Sequence, residues 1–204
     1  MQEILPYCYY FPNALSWLEQ KKLVKFYLQY QNQLYQPVLK TGSKMNLLMA
    51  CFGWHWSAKN YKYYKNRIDV DAMPVLAYPK FLNEMIAYSL FDTLKLWDVL
   101  ILNYYNNSSK LGLHQDNSED KETLQSGYPI LSISIGASCI FQIGGFKRNE
   151  AIQEIQLNSG DILMMGGESR LRFHGVKQIL SNSDKAPFSK FLNGGRINFT
   201  LRKK

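Results

Sequence analysis

The sequence contains only three histidines, and two of them stand in a pattern that could hold a metal: His114-Gln115-Asp116, with His174 further on. Two neutral imidazoles and one carboxylate can occupy one face of an octahedral ion. The opposite face then stays open for a cosubstrate and O2, as in non-haem Fe(II) oxygenases. Residues two apart on an extended segment point the same way, so His114 and Asp116 can reach one ion. A His-x-Asp pair also arises by chance, most lone histidines are hydrogen-bonded core or surface residues, and the same ligands would serve zinc. His114, Asp116 and His174 are therefore the catalytic and metal candidates, with the metal left open.

A second pattern lies near the end of the sequence, in Arg-Ile-Asn-Phe-Thr-Leu-Arg from Arg196 to Arg202. On a strand, Arg196, Asn198, Thr200 and Arg202 share one face, while Ile197, Phe199 and Leu201 share the other. The polar face could simply be solvated. Its two arginines have Cα atoms roughly 20 Å apart at strand rise, and long stems can lean back along a strand. Two guanidinium groups could thus approach opposite ends of a short dicarboxylate, which arginine suits because its fork matches a carboxylate and keeps its charge.

These side chains need elements to aim them. From Val99 onward the apolar residues repeat with period two, in VLILNYY, PILSISIG, CIFQIG, AIQEIQL, DILMMGG and RINFTLR, each bounded by Gly, Asn, Asp or Pro. Short strands in series predict a mainly β protein, an antiparallel sandwich or jelly roll. Asn158-Ser159-Gly160-Asp161 reads as a hairpin turn between two of them. Before this block, Asn13 to Gln36 predicts a helix, with a capping box at Ser16 and Glu19 and an end before Pro37. After Pro79 a second helix is expected, with Phe81, Met85, Tyr88 and Leu96 among its apolar positions. Residues 41–66 suggest a hairpin followed by an exposed, partly mobile flap in which Lys, Asn and aromatic residues alternate. Residues 178–195 read as a loop.

Composition bounds the function classes. With 204 residues, 46% of them hydrophobic and 20% charged, the chain suits one domain and shows no sign of disorder or a disulfide scaffold. Lys plus Arg is 24 against 16 for Asp plus Glu, a net charge of +8, and there are 14 tyrosines. A basic, ring-rich surface suits a polyanion with stackable bases, although many basic proteins never touch nucleic acid. Cys8, Cys51 and Cys139 are widely spaced and read as reduced core thiols. The beginning MQEILPYCYY lacks the positive charge and clean apolar stretch of a secretory signal, and no apolar tract is long enough to span a bilayer. A cytoplasmic protein acting without a membrane partner, as a monomer, is expected.

The ordered set LILNYY at 100–105, LGLHQD at 111–116, SISIG at 132–136, FQIGG at 141–145, SGDILMMGGESRLRFHG at 159–175 and RINFTLR at 196–202 resembles the AlkB family of Fe(II)- and 2-oxoglutarate-dependent dioxygenases. The resemblance runs from about residue 41 to residue 202. It implies a double-stranded β-helix, a form of jelly roll, with 41–66 as the substrate-recognition flap and 99–202 as the core; residues 1–40, outside the resemblance, are read as an N-terminal helical extension. It also implies oxidative removal of alkyl groups from nucleic-acid bases, with the choice between DNA and RNA left open and single strands favoured. By position, His114, Asp116 and His174 would bind Fe(II), Arg196 and Arg202 would hold the two carboxylates of 2-oxoglutarate, and Asn103, Tyr105 and Asn198 would add hydrogen bonds. Trp54 would stack on the target base, with Tyr61, Ser118 and Arg148 as further substrate contacts.

In one respect the chain departs from that pattern. Where the best-known bacterial enzymes carry a second acid near the target base, it has Ser118, with Glu119 beside it, so base preference stays open. A same-fold oxygenase acting on protein or a small molecule would share the iron and cosubstrate residues. A silent nucleic-acid-binding module would not need them.

Overall fold

The computed structural model describes residues 1–90, 97–181, 183 and 189–204. Among these, thirteen strands follow the chain as β1 (Gln2–Leu5), β2 (Cys8–Phe11), β3 (Leu48–Phe52), β4 (His55–Ser57), β5 (Lys62–Tyr64), β6 (Val99–Tyr105), β7 (Leu111–His114), β8 (Ile130–Gly136), β9 (Cys139–Ile143), β10 (Gln153–Leu157), β11 (Ile162–Met165), β12 (His174–Ile179) and β13 (Arg196–Arg202). A seven-stranded sheet has the order β1-β2-β11-β8-β13-β6-β3, a four-stranded sheet the order β10-β9-β12-β7, and β4 and β5 form a separate hairpin. The two larger sheets are the antiparallel layers of the jelly roll expected from the period-two pattern.

The large sheet buries both faces, for different reasons. On one face Leu100, Leu102, Leu131, Ile133, Ile197, Phe199 and Leu201 pack under two helices, α1 (Trp17–Tyr30) and α2 (Phe81–Leu90). Those helices contribute Leu23, Val24, Tyr27, Leu82 and Ile86 to the same core. On the other face Val99, Ile101, Leu163 and Met165 meet Cys139, Phe141, Ile143 and Val176 from the small sheet. The alternation of β13 now has its meaning: every residue from Arg196 to Arg202 is buried, the apolar ones toward the helices and the polar ones toward the space between the sheets.

The N-terminal region differs from the expected helical extension. β1 and β2 form a hairpin, and β2 pairs antiparallel with β11 from Phe11↔Ile162 to Cys8↔Met165. Each strand is only four residues long, below what a sequence window resolves, and the pairing depends on β11 as a distant template. The first helix is also shorter than expected. Asn13 takes φ 49 and donates its backbone N–H to Asp161 Oδ1 at 2.8 Å, which keeps residues 13–16 outside it. The capping box does form: Ser16 Oγ accepts from Glu19 N at 3.4 Å, and Glu19 Oε2 accepts from Ser16 N at 2.7 Å. At the far end a 3-10 turn spans Gln31–Gln33, and Tyr35 then bridges to Met49. In the segment expected to be a loop, β12 runs on to Ile179, with a bulge between Val176 and Gln178. Leu96, expected on the second helix, lies outside the described residues.

Gly53 joins the large sheet to the β4–β5 hairpin. It has φ +80, and a Cβ there would lie 1.9 Å from the carbonyl oxygen of Asp98. Gly53→Ala is therefore expected to cost about 2 kcal/mol or more of unfolding free energy, from left-handed strain and the backbone clash together. Denaturant unfolding at unchanged m-value would read this as a lower midpoint. An unchanged midpoint would show that the turn relaxes freely.

Candidate metal and cosubstrate site

A cavity of about 380 Å³ opens between the two sheets, lined by both polar patterns read from the sequence. The small sheet brings His114 at the end of β7 directly opposite His174 at the start of β12, as register partners. Asp116 follows two residues after β7, and the ligand atoms of the three residues lie within 4.8 Å of one another.

The donor geometry fits a metal ion. His114 Nδ1 lies 3.0 Å from the Gly112 carbonyl and His174 Nδ1 lies 3.0 Å from the Arg172 carbonyl. A carbonyl only accepts, so each Nδ1 carries the proton and each Nε2 presents a lone pair to the cavity. The Nε2 atoms stand 3.7 Å and 3.5 Å from the Asp116 carboxylate oxygens, a few tenths longer than the ~3 Å between adjacent ligands on an ion with ~2.1 Å bonds. Burial, and then the neighbouring His174, hold the His114 imidazole down at a pKa of about 4, so it is neutral near pH 7. Burial pushes the Asp116 carboxyl up, but Arg202 and the two imidazoles outweigh it and hold the group well below the usual carboxylate range.

The large sheet supplies the opposite wall. Arg196 is 1% exposed, and its Nη2 donates to Ser134 Oγ at 2.8 Å, while Nε and Nη1 meet no acceptor among the described residues. Two unpaired donors on a buried guanidinium call for an anion. Arg202, at the other end of β13, pairs with Asp116 Oδ1 at 2.7 Å, and its Nε meets no partner among the described residues. Burial opposes the charge of Arg202, yet Asp116, Tyr63 and Glu119 raise its pKa above the ordinary value. Between the arginines, Asn198 donates to Ser132 Oγ at 2.7 Å and accepts from Thr200 Oγ1 at 2.7 Å. On β6, Asn103 is the register partner of Asn198 and Tyr105 that of Arg196, so both line the same wall. The Arg196 guanidinium lies 5.4 Å from the Tyr105 ring centroid. Asn103, Tyr105, Arg196, Asn198 and Arg202 thus converge on the space beside the metal candidates.

The candidate substrate residues divide. Tyr61, Ser118 and Arg148 line the cavity, and Arg148 Nη1 donates to the Leu113 carbonyl at 2.6 Å. Trp54 does not line it. It sits in the Gly53 turn with Lys65 Nζ 3.3 Å above its ring. The tryptophan on the cavity wall is Trp56, whose Nε1 donates to Ser118 Oγ at 3.0 Å and whose ring meets Tyr61 edge-on at 5.9 Å. Period two would put the two rings side by side, but Trp54 lies in the turn before β4 and only Trp56 is on the strand.

Sequence reasoning missed a buried polar cluster behind Asp116. Arg170, 2% exposed, donates from Nη1 to the Asp116 carbonyl at 2.5 Å and from Nε to the Tyr128 carbonyl at 3.0 Å, and pairs with Glu119 at 2.9 Å. Tyr63 on β5 donates to Glu119 Oε1 at 2.9 Å and accepts from Arg202 Nη1 at 3.3 Å. Glu119 was visible beside Ser118, but nothing in the local sequence points Arg170 or Tyr63 toward it.

Residues 7–202 match the family model described as the 2OG-Fe(II) oxygenase superfamily. The chain is 39% identical over 191 residues to the DNA N(6)-methyladenine demethylase ALKBH1D of Arabidopsis thaliana, covering 82% of this chain and 42% of that protein. It therefore spans less than half the length of that relative. Identity is 34% over 175 residues with the Alpha-ketoglutarate-dependent dioxygenase AlkB homolog of Caulobacter vibrioides, covering 79% of this chain and 70% of that one. The solved structure of OsALKBH1 superposes with a TM-score of 0.87 at 26% identity, over 100% of this chain and 99% of that one.

Replacing Asp116 by Asn keeps the shape of the side chain and removes its charge. Fe(II) affinity is expected to fall by more than about 100-fold, beyond the 10–100-fold that losing an outer partner of a metal ligand brings. Anaerobic metal titration would measure it. Fe(II) affinity equal to that of the parent would remove Asp116 from the ligand set.

Proposed function

Because the chain belongs to the 2OG-Fe(II) oxygenase superfamily, in its AlkB branch, we propose that it oxidatively demethylates alkylated bases in nucleic acid, DNA first and RNA as well. The observation that carries this reading is the pairing of two sites in one cavity: three metal donors on the small sheet, and a buried guanidinium with two free N–H donors on the large one. A hydrolytic zinc site would have no use for the second.

In this reading His114, Asp116 and His174 hold Fe(II). Arg196 binds one carboxylate of 2-oxoglutarate and Arg202 the other, with Asn103, Tyr105 and Asn198 shaping the wall between them. When bound, iron supplies oxidation: O2 and 2-oxoglutarate give succinate and CO2, one oxygen atom passes to the N-methyl carbon, and the hydroxymethyl product releases formaldehyde. The protein's own share is to fix the cosubstrate, hold both imidazoles with Nε2 inward, and bring one methyl group within reach of the metal.

The base reaches the cavity past Trp56, Tyr61, Ser118 and Arg148. Trp56 and Tyr61 line the cavity and Trp54 is not among its lining residues, which supports assigning the stacking surface to Trp56 and Tyr61. Base–aromatic stacking offsets part of the few kcal/mol needed to extrude a base, a cost that is smaller in single strands. The named activity of the Arabidopsis relative makes N6-methyladenine the first base to test. The cavity is complete within one chain, which supports action as a monomer, and residues 1–204 are read as one dioxygenase domain. Among the described residues no helix is long and apolar enough to cross a membrane. The buried free thiols Cys8, Cys51 and Cys139 favour a reducing, cytoplasmic setting.

The test is a panel of methylated single-stranded and duplex DNA and RNA, scored for formaldehyde and succinate with and without 2-oxoglutarate. Cosubstrate-dependent demethylation is expected, strongest on single strands and weakened by salt. Arg196→Ala should raise the KM for 2-oxoglutarate by at least about tenfold, because it removes one partner of a buried charge contact. Succinate release without demethylation of any member, or an unchanged KM, would contradict the assignment.

A further inference from the structure

The β4–β5 hairpin is tied to the segment after Asp116 at two adjacent points. Trp56 and Tyr63 are direct cross-strand partners on the hairpin. Trp56 Nε1 donates to Ser118 Oγ at 3.0 Å, and Tyr63 Oη donates to Glu119 Oε1 at 2.9 Å. One rung of the hairpin therefore grips two consecutive residues of the segment that begins at a metal ligand. The second tie reaches further, since the Tyr63 hydroxyl also accepts from Arg202 Nη1 at 3.3 Å and Glu119 lies 3.6 Å from the same nitrogen. Glu119 is itself held from behind by Arg170 at 2.9 Å, and Arg170 holds the Asp116 carbonyl at 2.5 Å. The far end of Arg202 faces Asp116 at 2.7 Å.

Arg202 thus stands between two carboxylates, and its position is set from one side by a metal ligand and from the other by a tyrosine on the hairpin. We propose that Tyr63 and Glu119 are positioning residues that couple the two ligands of this cavity: a base seated on the Trp56–Tyr61 side of the hairpin fixes Tyr63, and Tyr63 fixes Arg202 for the cosubstrate carboxylate. This rests on the nucleic-acid reading above. The physical basis is a shared ordering cost. Whichever ligand binds first restrains the Trp56–Tyr63 rung and the Arg202 side chain, so the second has less freedom left to remove. Such coupling is reciprocal, and each ligand must strengthen the other by the same factor.

The experiment is an anaerobic titration of the Fe(II)-loaded protein with 2-oxoglutarate, with and without a saturating single-stranded oligonucleotide carrying one N6-methyladenine. The reverse titration follows, of oligonucleotide with and without 2-oxoglutarate. In the parent protein both ratios of affinities should agree at about fivefold or more, the lower end of ordinary allosteric coupling. Tyr63→Phe, which removes one hydroxyl and keeps the ring, should bring both ratios below about twofold. Ser118→Ala, which cuts only the other tie, should lower them less. A folded Tyr63→Phe protein with the parent's ratios would overturn the proposal, as would a parent that binds both ligands with no mutual effect. A parent that saturates with 2-oxoglutarate but binds no oligonucleotide would overturn the nucleic-acid reading, and the coupling with it.

Discussion

A carboxylate and a guanidinium meet in the buried space between two sheets: Asp116 Oδ1 and Arg202 Nη2, 2.7 Å apart, each less than a tenth exposed. Neither charge is tolerable there alone, since leaving one partner of a buried pair uncompensated costs 3–5 kcal/mol as a rough rule. The pair joins the sheets at the point where chemistry is needed. Asp116 belongs to the small-sheet side, beside the two imidazoles, while Arg202 belongs to β13, an interior strand of the large sheet. Around them the remaining polar groups fall into place: the imidazoles turned by backbone carbonyls, Arg196 at the other end of β13, and Glu119, Tyr63 and Arg170 behind.

This explains why a strand can be buried on both faces and still be half polar. Ile197, Phe199 and Leu201 lie under the helices. Arg196, Asn198, Thr200 and Arg202 would be an unstable face unless each met a partner, and most do: Ser134, Ser132, a neighbouring side chain on the strand, and Asp116. Among the described residues, Arg196 Nε and Nη1 and Arg202 Nε find no partner. Such residual donors, in a cavity next to three candidate metal ligands, are what the proposed binding of a dicarboxylate cosubstrate calls on.

How much of this was legible in the sequence depends on the range of the interaction. The period-two strands, the polar face of β13 and the capping box at Ser16 and Glu19 are local patterns, and they stand where the residues put them. His114, Asp116 and His174 were legible as residue types, and the antiparallel register of β7 with β12 supplies the juxtaposition. Pairings over long separations were not legible. The hairpin of β1 and β2 is four residues a side and needs β11, about 150 residues away. Arg170 reaches Glu119 and Asp116 through tertiary folding alone. Trp54 and Trp56 are alike by composition and spacing, yet Trp56 on β4 lines the cavity and Trp54, in the turn before that strand, does not.

Fe(II) and 2-oxoglutarate are proposed to share one cavity on the residues named. The most direct test is the visible charge-transfer absorption that a chelating 2-oxo acid produces on Fe(II), followed anaerobically as 2-oxoglutarate is added to the iron-loaded protein. The band is expected to grow to saturation at one cosubstrate per chain and to be lost when Arg196 is replaced by Ala at the same concentrations. A protein that binds Fe(II) at His114, Asp116 and His174 but develops no such band with 2-oxoglutarate would contradict that proposal.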